Sequence, residues 1–157
     1  MQTFRIFNLV PGPIVAQIGR ICVHWSIMEL TMERVIWHLS GISPKAGRLV
    51  TARQNIDPRI KRLKKLARQY LTNEAQEEIY AICRDIKDVQ EQRNWAVHGL
   101  YGINKHGERF QISYRKDPNG VAKPVNDNSL REVRRAIYRL QIKLEQFLPL
   151  PKPAEPA

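Results

Sequence analysis

From Ile14 onward the apolar residues fall into step. Ile14, Ile18, Ile21, Trp25, Met28, Met32, Val35 and Leu39 recur at alternating intervals of four and three. That rhythm is one face of a long helix. Pro13 suits its first turn and Gly41 its C-terminal stop. A short helical piece is predicted after Pro44, through AGRLVTAR. Asp57-Pro58 then opens a third helix, whose buried stripe is Ile60, Leu63, Leu66, Ala67 and Tyr70. Asn73 is placed to cap a long fourth helix, with Glu74, Glu77 and Glu78 at the positive end of its dipole. Ile79, Ile82, Ile86 and Val89 form its apolar face.

After Gly99 the period changes. LYGINKHGERFQISYRK reads as two strands around a turn at Asn104 to Gly107. Asp117-Pro118-Asn119-Gly120 is a second turn that could lead to a short third strand. Asn128 or Ser129 opens a last helix with Leu130, Val133, Ile137, Leu140, Leu144 and Phe147 as its stripe. The predicted fold is mainly α: an up-and-down helical bundle with a small β-hairpin after the fourth helix. One domain is expected over positions 1–148. The proline-rich end, 149–157, is expected to be disordered or extended.

The fourth helix breaks its own pattern. The rhythm of Ile86 and Val89 continues to positions 93 and 96; Ala96 fits, but position 93 is an arginine. Burying an unpaired guanidinium costs several kcal/mol, so Arg93 must be paired or must face a cavity. One partner the pattern offers is Glu29, beside the apolar face of the first helix. Emergence of the helix end into solvent is the other bland explanation. Asn94 and His98 are four apart and share a face. Arg93 and His98 are five apart, roughly 140° around an ideal helix and ~7.5 Å along it. A long arginine reaching down, a tightened last turn before Gly99, or convergence across a symmetric dimer would bring their tips together. Gly99 ends the helix, so His98 sits at its negative pole, which favours imidazolium, while a nearby guanidinium opposes it. An imidazole so balanced suits general acid or base work.

Charge adds to this picture. Lysine and arginine number 26 against 15 aspartates and glutamates, a net charge of +11. A balance this basic favours a polyanionic partner, with nucleic acid ahead of a membrane surface. The cations concentrate in RIKRLKKLAR (Lys61, Arg62, Lys64, Lys65, Arg68) and in REVRRAIYR (Arg131, Arg134, Arg135). Each alone reads as a solvated helix face; together they suggest a phosphate-tracking groove. Cys22 and Cys83 fall in apolar helical patterns, outside any metal spacing, and read as packed reduced thiols. The N-terminal MQTFRIFNLVPGP is too short for a membrane span and is broken by Pro11, Gly12 and Pro13. A cytoplasmic protein with no membrane association is expected.

RNWAVHG, Arg93 to Gly99, resembles the R-x4-6-H signature of the HEPN superfamily, which favours Asn, Asp or His after the arginine. No other arginine here has a histidine downstream at that spacing. WSIMELTMERVIW and GRLVTARQNIDPRIKRL also look similar to the early part of bacterial HEPN-like proteins. The resemblance covers roughly positions 13 to 148, apart from the hairpin. It implies a metal-independent endoribonuclease that needs no cofactor, in which the RNA 2'-hydroxyl attacks the adjacent phosphate and leaves a 2',3'-cyclic end. His98 would act as general base or acid, Arg93 would stabilise the phosphorane-like transition state, and Asn94 would orient the histidine or a phosphate oxygen. It further implies RNA as substrate and a homodimer. Many members are toxins or antiviral-defence effectors, some with an antitoxin protein as partner. Other members have lost catalysis and only bind nucleotides or proteins; a non-catalytic RNA-binding or protein-interaction module is the competing reading.

The remaining candidates are structural. Glu29 is expected to support Arg93 or to pair with Arg53. Glu33, beside Arg34, reads as surface charge rather than as half of a carboxylate pair with Glu29. His24, His38 and His106 have no neighbours at metal-ligand spacing, and no H-E-x-x-H, P-loop or G-x-G-x-x-G is present. Trp25, Trp37 and Trp95 read as core or interface, Trp95 least firmly because it adjoins the motif.

Overall fold

The computed structural model describes residues 5–6, 10–52, 54–114, 117 and 119–149. Arg53 and positions 150–157 of the predicted tail lie outside the described residues. Five helices are present among the described residues: α1 (Gly12–Leu39), α2 (Pro44–Thr51), α3 (Ile56–Tyr70), α4 (Asn73–His98) and α5 (Asp127–Glu145). The fold is mainly α, with a small antiparallel sheet following α4, as the change of period predicts. The sheet has four strands, β1 (Arg5–Ile6), β2 (Leu100–Ile103), β3 (Arg109–Ser113) and β4 (Val121–Pro124), paired in that order. The two-residue β1, which pairs Ile6 with Gly102, is too short for its sequence to announce. No described helix is long and apolar enough to cross a membrane.

The chain divides into two compact units, each assembled from separate stretches: Met1–Ser26 with Asp85–Tyr138, and Ile27–Arg84 with Arg139–Ala157. In the first, Ile14, Ile21 and Trp25 of α1 are buried, with Ile86, Val89 and Ala96 of α4 and Leu130, Val133 and Ile137 of α5. Tyr101, Ile112 and Val125 complete this core from the sheet and its exit. In the second, Met28, Met32, Val35, Ile60, Leu63, Ile79, Ile82 and Leu144 are buried. Each such aliphatic side chain contributes about 1.5–3 kcal/mol of transfer free energy. The predicted stripes are therefore the cores, with Ile18, Leu39, Leu66 and Phe147 half-buried and one residue exposed. Tyr70 is 64% exposed. It is the last residue of α3, and the chain leaves the helix before the phenol can be covered.

Two helix starts differ from expectation. Thr72, not Asn73, begins α4: its hydroxyl accepts from the Ala75 N–H at 3.4 Å and its carbonyl from Gln76. Asn126, not Asn128 or Ser129, begins α5. The Asn126 side chain accepts from the Ser129 N–H at 2.8 Å, and the Ser129 hydroxyl accepts from the Asn126 N–H at 3.1 Å. This reciprocal pair is a capping box with serine in the acidic position. In both cases several cap-competent residues are adjacent, and the earlier one makes the capping hydrogen bond.

The hairpin turn forms where predicted. Asn104 is buried, and its Oδ1 accepts from the N–H groups of His106 and Glu108. Gly107 takes the left-handed conformation, φ +79°, that the turn requires. At the second turn Asp117 accepts from Asn119, and Gly120 sits at φ +80° against the Tyr114 ring.

Candidate functional site

The last turn of α4 is held by the sheet that follows it. A helix leaves its final carbonyls without intrahelical donors. The Tyr101 hydroxyl donates to the Ala96 carbonyl at 2.6 Å, and the Gln111 amide donates to the same hydroxyl at 2.7 Å. All three residues are buried. Burial also raises the Tyr101 phenol above its ordinary range, with Gln111 opposing, so the hydroxyl keeps the proton it donates. The Gly99 N–H reaches the Trp95 carbonyl at 2.9 Å, an α-type bond, so the last turn is not tightened. A side chain at position 99 would bring its Cβ within 2.6 Å of that carbonyl oxygen, which explains the glycine.

On this fixed helix end Arg93 reaches down to its neighbours. Its Nη1 donates to Asn94 Oδ1 at 3.1 Å and lies 3.4 Å from His98 Nε2. The five-residue offset is bridged within one chain by the length of the arginine, the first of the three routes the spacing allowed. Guanidinium can only donate. In a hydrogen bond between the two, Nε2 is therefore the acceptor. The Trp25 ring backs the guanidinium, with Cζ 5.7 Å from the ring centroid. This answers the break in the pattern. The position that would take an aliphatic takes an arginine because its partner is an aromatic face.

Arg93 Nε is buried without a hydrogen-bond partner among the described residues. No carboxylate of its own unit pairs with Arg93 among those residues. Glu29 belongs to the other unit, where Arg59 Nη1 donates to it at 3.2 Å and Arg59 Nη2 to Glu33 at 2.6 Å. Glu33 is thus a largely covered partner of Arg59, with its side chain 13% exposed, rather than a surface charge. Arg59 was not separable by sequence from the cations around it. It falls one position before Ile60, on the edge of the apolar stripe. Arg53, the other expected partner of Glu29, lies outside the described residues.

An open groove of about 410 Å³ runs along the neighbouring face of α4. Lys87, Gln90, Glu91 and Asn94 line it at helical spacing. Trp95, Ser113 of β3 and Val121 of β4 close its other side. Asn94 is the shared residue: its side-chain carbonyl accepts the hydrogen bond from Arg93 while the residue also lines the groove. Lys123 sits 4.3 Å over the Trp95 ring, and burial lowers its ammonium from the ordinary lysine range against the pull of Glu91. The roles of Trp25, Tyr101, Gln111 and Lys123 escaped the sequence reading because each depends on a partner in another element.

The two basic stretches fall in different units. In α3, Lys61, Arg62 and Lys65 line a separate groove of about 390 Å³ with Ser40 and Gln69. Lys64 and Arg68 turn instead to Tyr80, at 5.9 Å from its ring and 3.5 Å from its hydroxyl. In α5, Arg131 is paired with Asp127 at 2.5 Å and Arg135 with Glu132 at 2.6 Å, and Arg134 is half-buried. Internal pairing therefore reduces the field of the second stretch. Among the remaining candidates, His38 and His106 are exposed, and His24 meets Tyr138 edge-on at 5.9 Å. Cys22 and Cys83 are free thiols, and burial pushes Cys83 up to about 11. Compared with known protein families, curated proteins and solved structures, the chain matches none.

Proposed function

We propose that the protein is a metal-independent endoribonuclease of the HEPN type, with Arg93, Asn94 and His98 as its centre. One observation carries the reading. A guanidinium that no carboxylate of its unit neutralises stands 3.4 Å from an exposed imidazole at the end of one helix. An unprotonated Nε2 at this position is a competent base for a ribose 2'-hydroxyl. As that oxygen attacks phosphorus, the 5'-oxygen bond breaks, leaving a 2',3'-cyclic phosphate and a 5'-hydroxyl. The guanidinium fork meets the negative charge that builds on the non-bridging oxygens. Asn94 holds the arginine in place. The imidazolium formed beside Arg93 is disfavoured by like charge, which drives return of the proton to the leaving oxygen. In this reading the chain acts as a homodimer, with RNA as substrate and α3 supplying phosphate contacts. A role as a toxin or defence effector, held by an antitoxin protein, belongs to the same proposal.

The test is cleavage of RNA in excess EDTA by the purified protein and by His98→Ala. Activity that persists in EDTA and falls at least ~100-fold in the variant is expected, in line with the loss of a general base. Equal RNA binding by both proteins without cleavage by either would replace the enzyme with an RNA-binding module.

A further inference from the structure

We infer that the groove along α4 is a nucleobase subsite, which seats a base of the bound RNA beside the Arg93–His98 centre. The inference rests on the ribonuclease reading for the polymer that is bound, but on separate residues for the base. Trp95 supplies a flat aromatic wall, and Lys123 above its ring fixes that wall from one side. Val121, 42% exposed on β4, provides an apolar surface at the rim. Heteroaromatic bases stack on such walls whatever their sequence, with about 1–3 kcal/mol per base.

The polar groups in the groove add a preference. Asn94 Oδ1 is taken by Arg93, and Gln90 Oε1 accepts from Lys87 at 2.9 Å. Each amide therefore has its carbonyl engaged and its NH2 group left over, with no hydrogen bond to a described residue. These two amides are donors, and the Glu91 carboxylate that lines the same groove is an acceptor. The set suits a base that presents two carbonyl oxygens about one N–H, such as uracil, over adenine, whose Watson–Crick edge offers one acceptor and an amino donor. The location follows from the helix: Asn94 touches Arg93, and His98 lies one turn further on the same face, about 6 Å along the axis. A nucleotide with its phosphate at Arg93 has the groove immediately beside it.

The test uses 2'-O-methyl oligonucleotides, which have no nucleophilic hydroxyl and stay intact whether or not the protein is an enzyme. Binding of oligo-U, oligo-A and an abasic strand of equal length is measured by fluorescence anisotropy. Oligo-U is expected to bind roughly 5- to 160-fold more tightly than the abasic strand, the range that base stacking gives. It should also exceed oligo-A, although stacking alone favours the larger purine. Trp95→Leu should bring oligo-U down to the abasic level, and Trp95→Phe should restore most of the difference. Because Trp95 is half-buried, Val121→Phe serves as a second variant: it fills the groove from an exposed strand position and should remove the same increment without changing the melting temperature. Equal binding of oligo-U and the abasic strand, or an increment unmoved by Val121→Phe, overturns the subsite. Either result leaves EDTA-resistant cleavage intact, so the two proposals fail separately.

Discussion

The Tyr101 hydroxyl donates to the Ala96 carbonyl at 2.6 Å, joining the first strand after α4 to the last turn of that helix. The contact explains how an exposed helix end can hold Arg93, Asn94 and His98 in register. Terminal turns ordinarily fray because their carbonyls lack donors. Here one of those carbonyls is paired, and the donor is itself held by Gln111. Removing the hydroxyl leaves a buried carbonyl and a buried amide unsatisfied, at about 1–3 kcal/mol. Tyr101→Phe is therefore expected to lower the unfolding free energy by that amount in urea titrations. It should lower kcat for RNA cleavage more than it raises KM, because the loosened turn misplaces His98 while the groove on α4 persists. A fall in stability with kcat unchanged would assign Tyr101 a purely structural role.

Gly47 provides a test of packing against propensity. Alanine in the middle of a helix is ordinarily favoured over glycine by about 1 kcal/mol. In α2, however, a Cβ at position 47 would overlap the Trp37 indole. That indole is buried and donates to the Thr51 hydroxyl at 3.1 Å, which in turn donates to the Gly47 carbonyl. Gly47→Ala is expected to destabilise the protein by about 1–3 kcal/mol through overpacking. A neutral or stabilising result in thermal unfolding would mean that the indole does not pack there.

Cys83 gives a pH dependence with a definite sign. Burial is the main cause of its raised pKa of about 11, while Lys64 and Arg84 act in the opposite direction. The neutral thiol is thus favoured by the fold. Its contribution is complete below the unfolded value of about 9 and is lost as pH rises through 11. Between pH 8 and 10.5 the wild type should lose about 2 kcal/mol more than Cys83→Ala, read from urea midpoints. Parallel losses in both proteins would place the thiol in contact with water.

The sequence revealed the helices because their apolar stripes repeat, with one break at position 93, and the hairpin because Asn104 and Gly107 carry turn chemistry that has few alternatives. It also singled out Arg93, since a charge in an apolar register is a local contradiction. What lay beyond it was pairing at a distance. Glu29 was assigned to Arg93 or Arg53, and the packing of α1 with α3 gives it Arg59, a partner the sequence had not offered. Trp25 looks like any other core aromatic until Arg93 is placed over it. The groove at Trp95 forms from residues on α4, β3 and β4 whose register no periodicity encodes. The caps of α4 and α5 were missed by one to three residues because Thr72 and Asn126 stand beside equally good cap formers.

The most direct measurement is the fate of a labelled oligonucleotide that carries one ribonucleotide in an otherwise 2'-O-methyl strand, incubated in EDTA with wild-type protein and with His98→Ala, and resolved by mass spectrometry. The account predicts a single cut at the 3' side of that ribose, a 2',3'-cyclic phosphate on one fragment, a 5'-hydroxyl on the other, and no cut by the variant. Cleavage elsewhere in the strand, a 3'-hydroxyl product, or equal cutting by His98→Ala would contradict it.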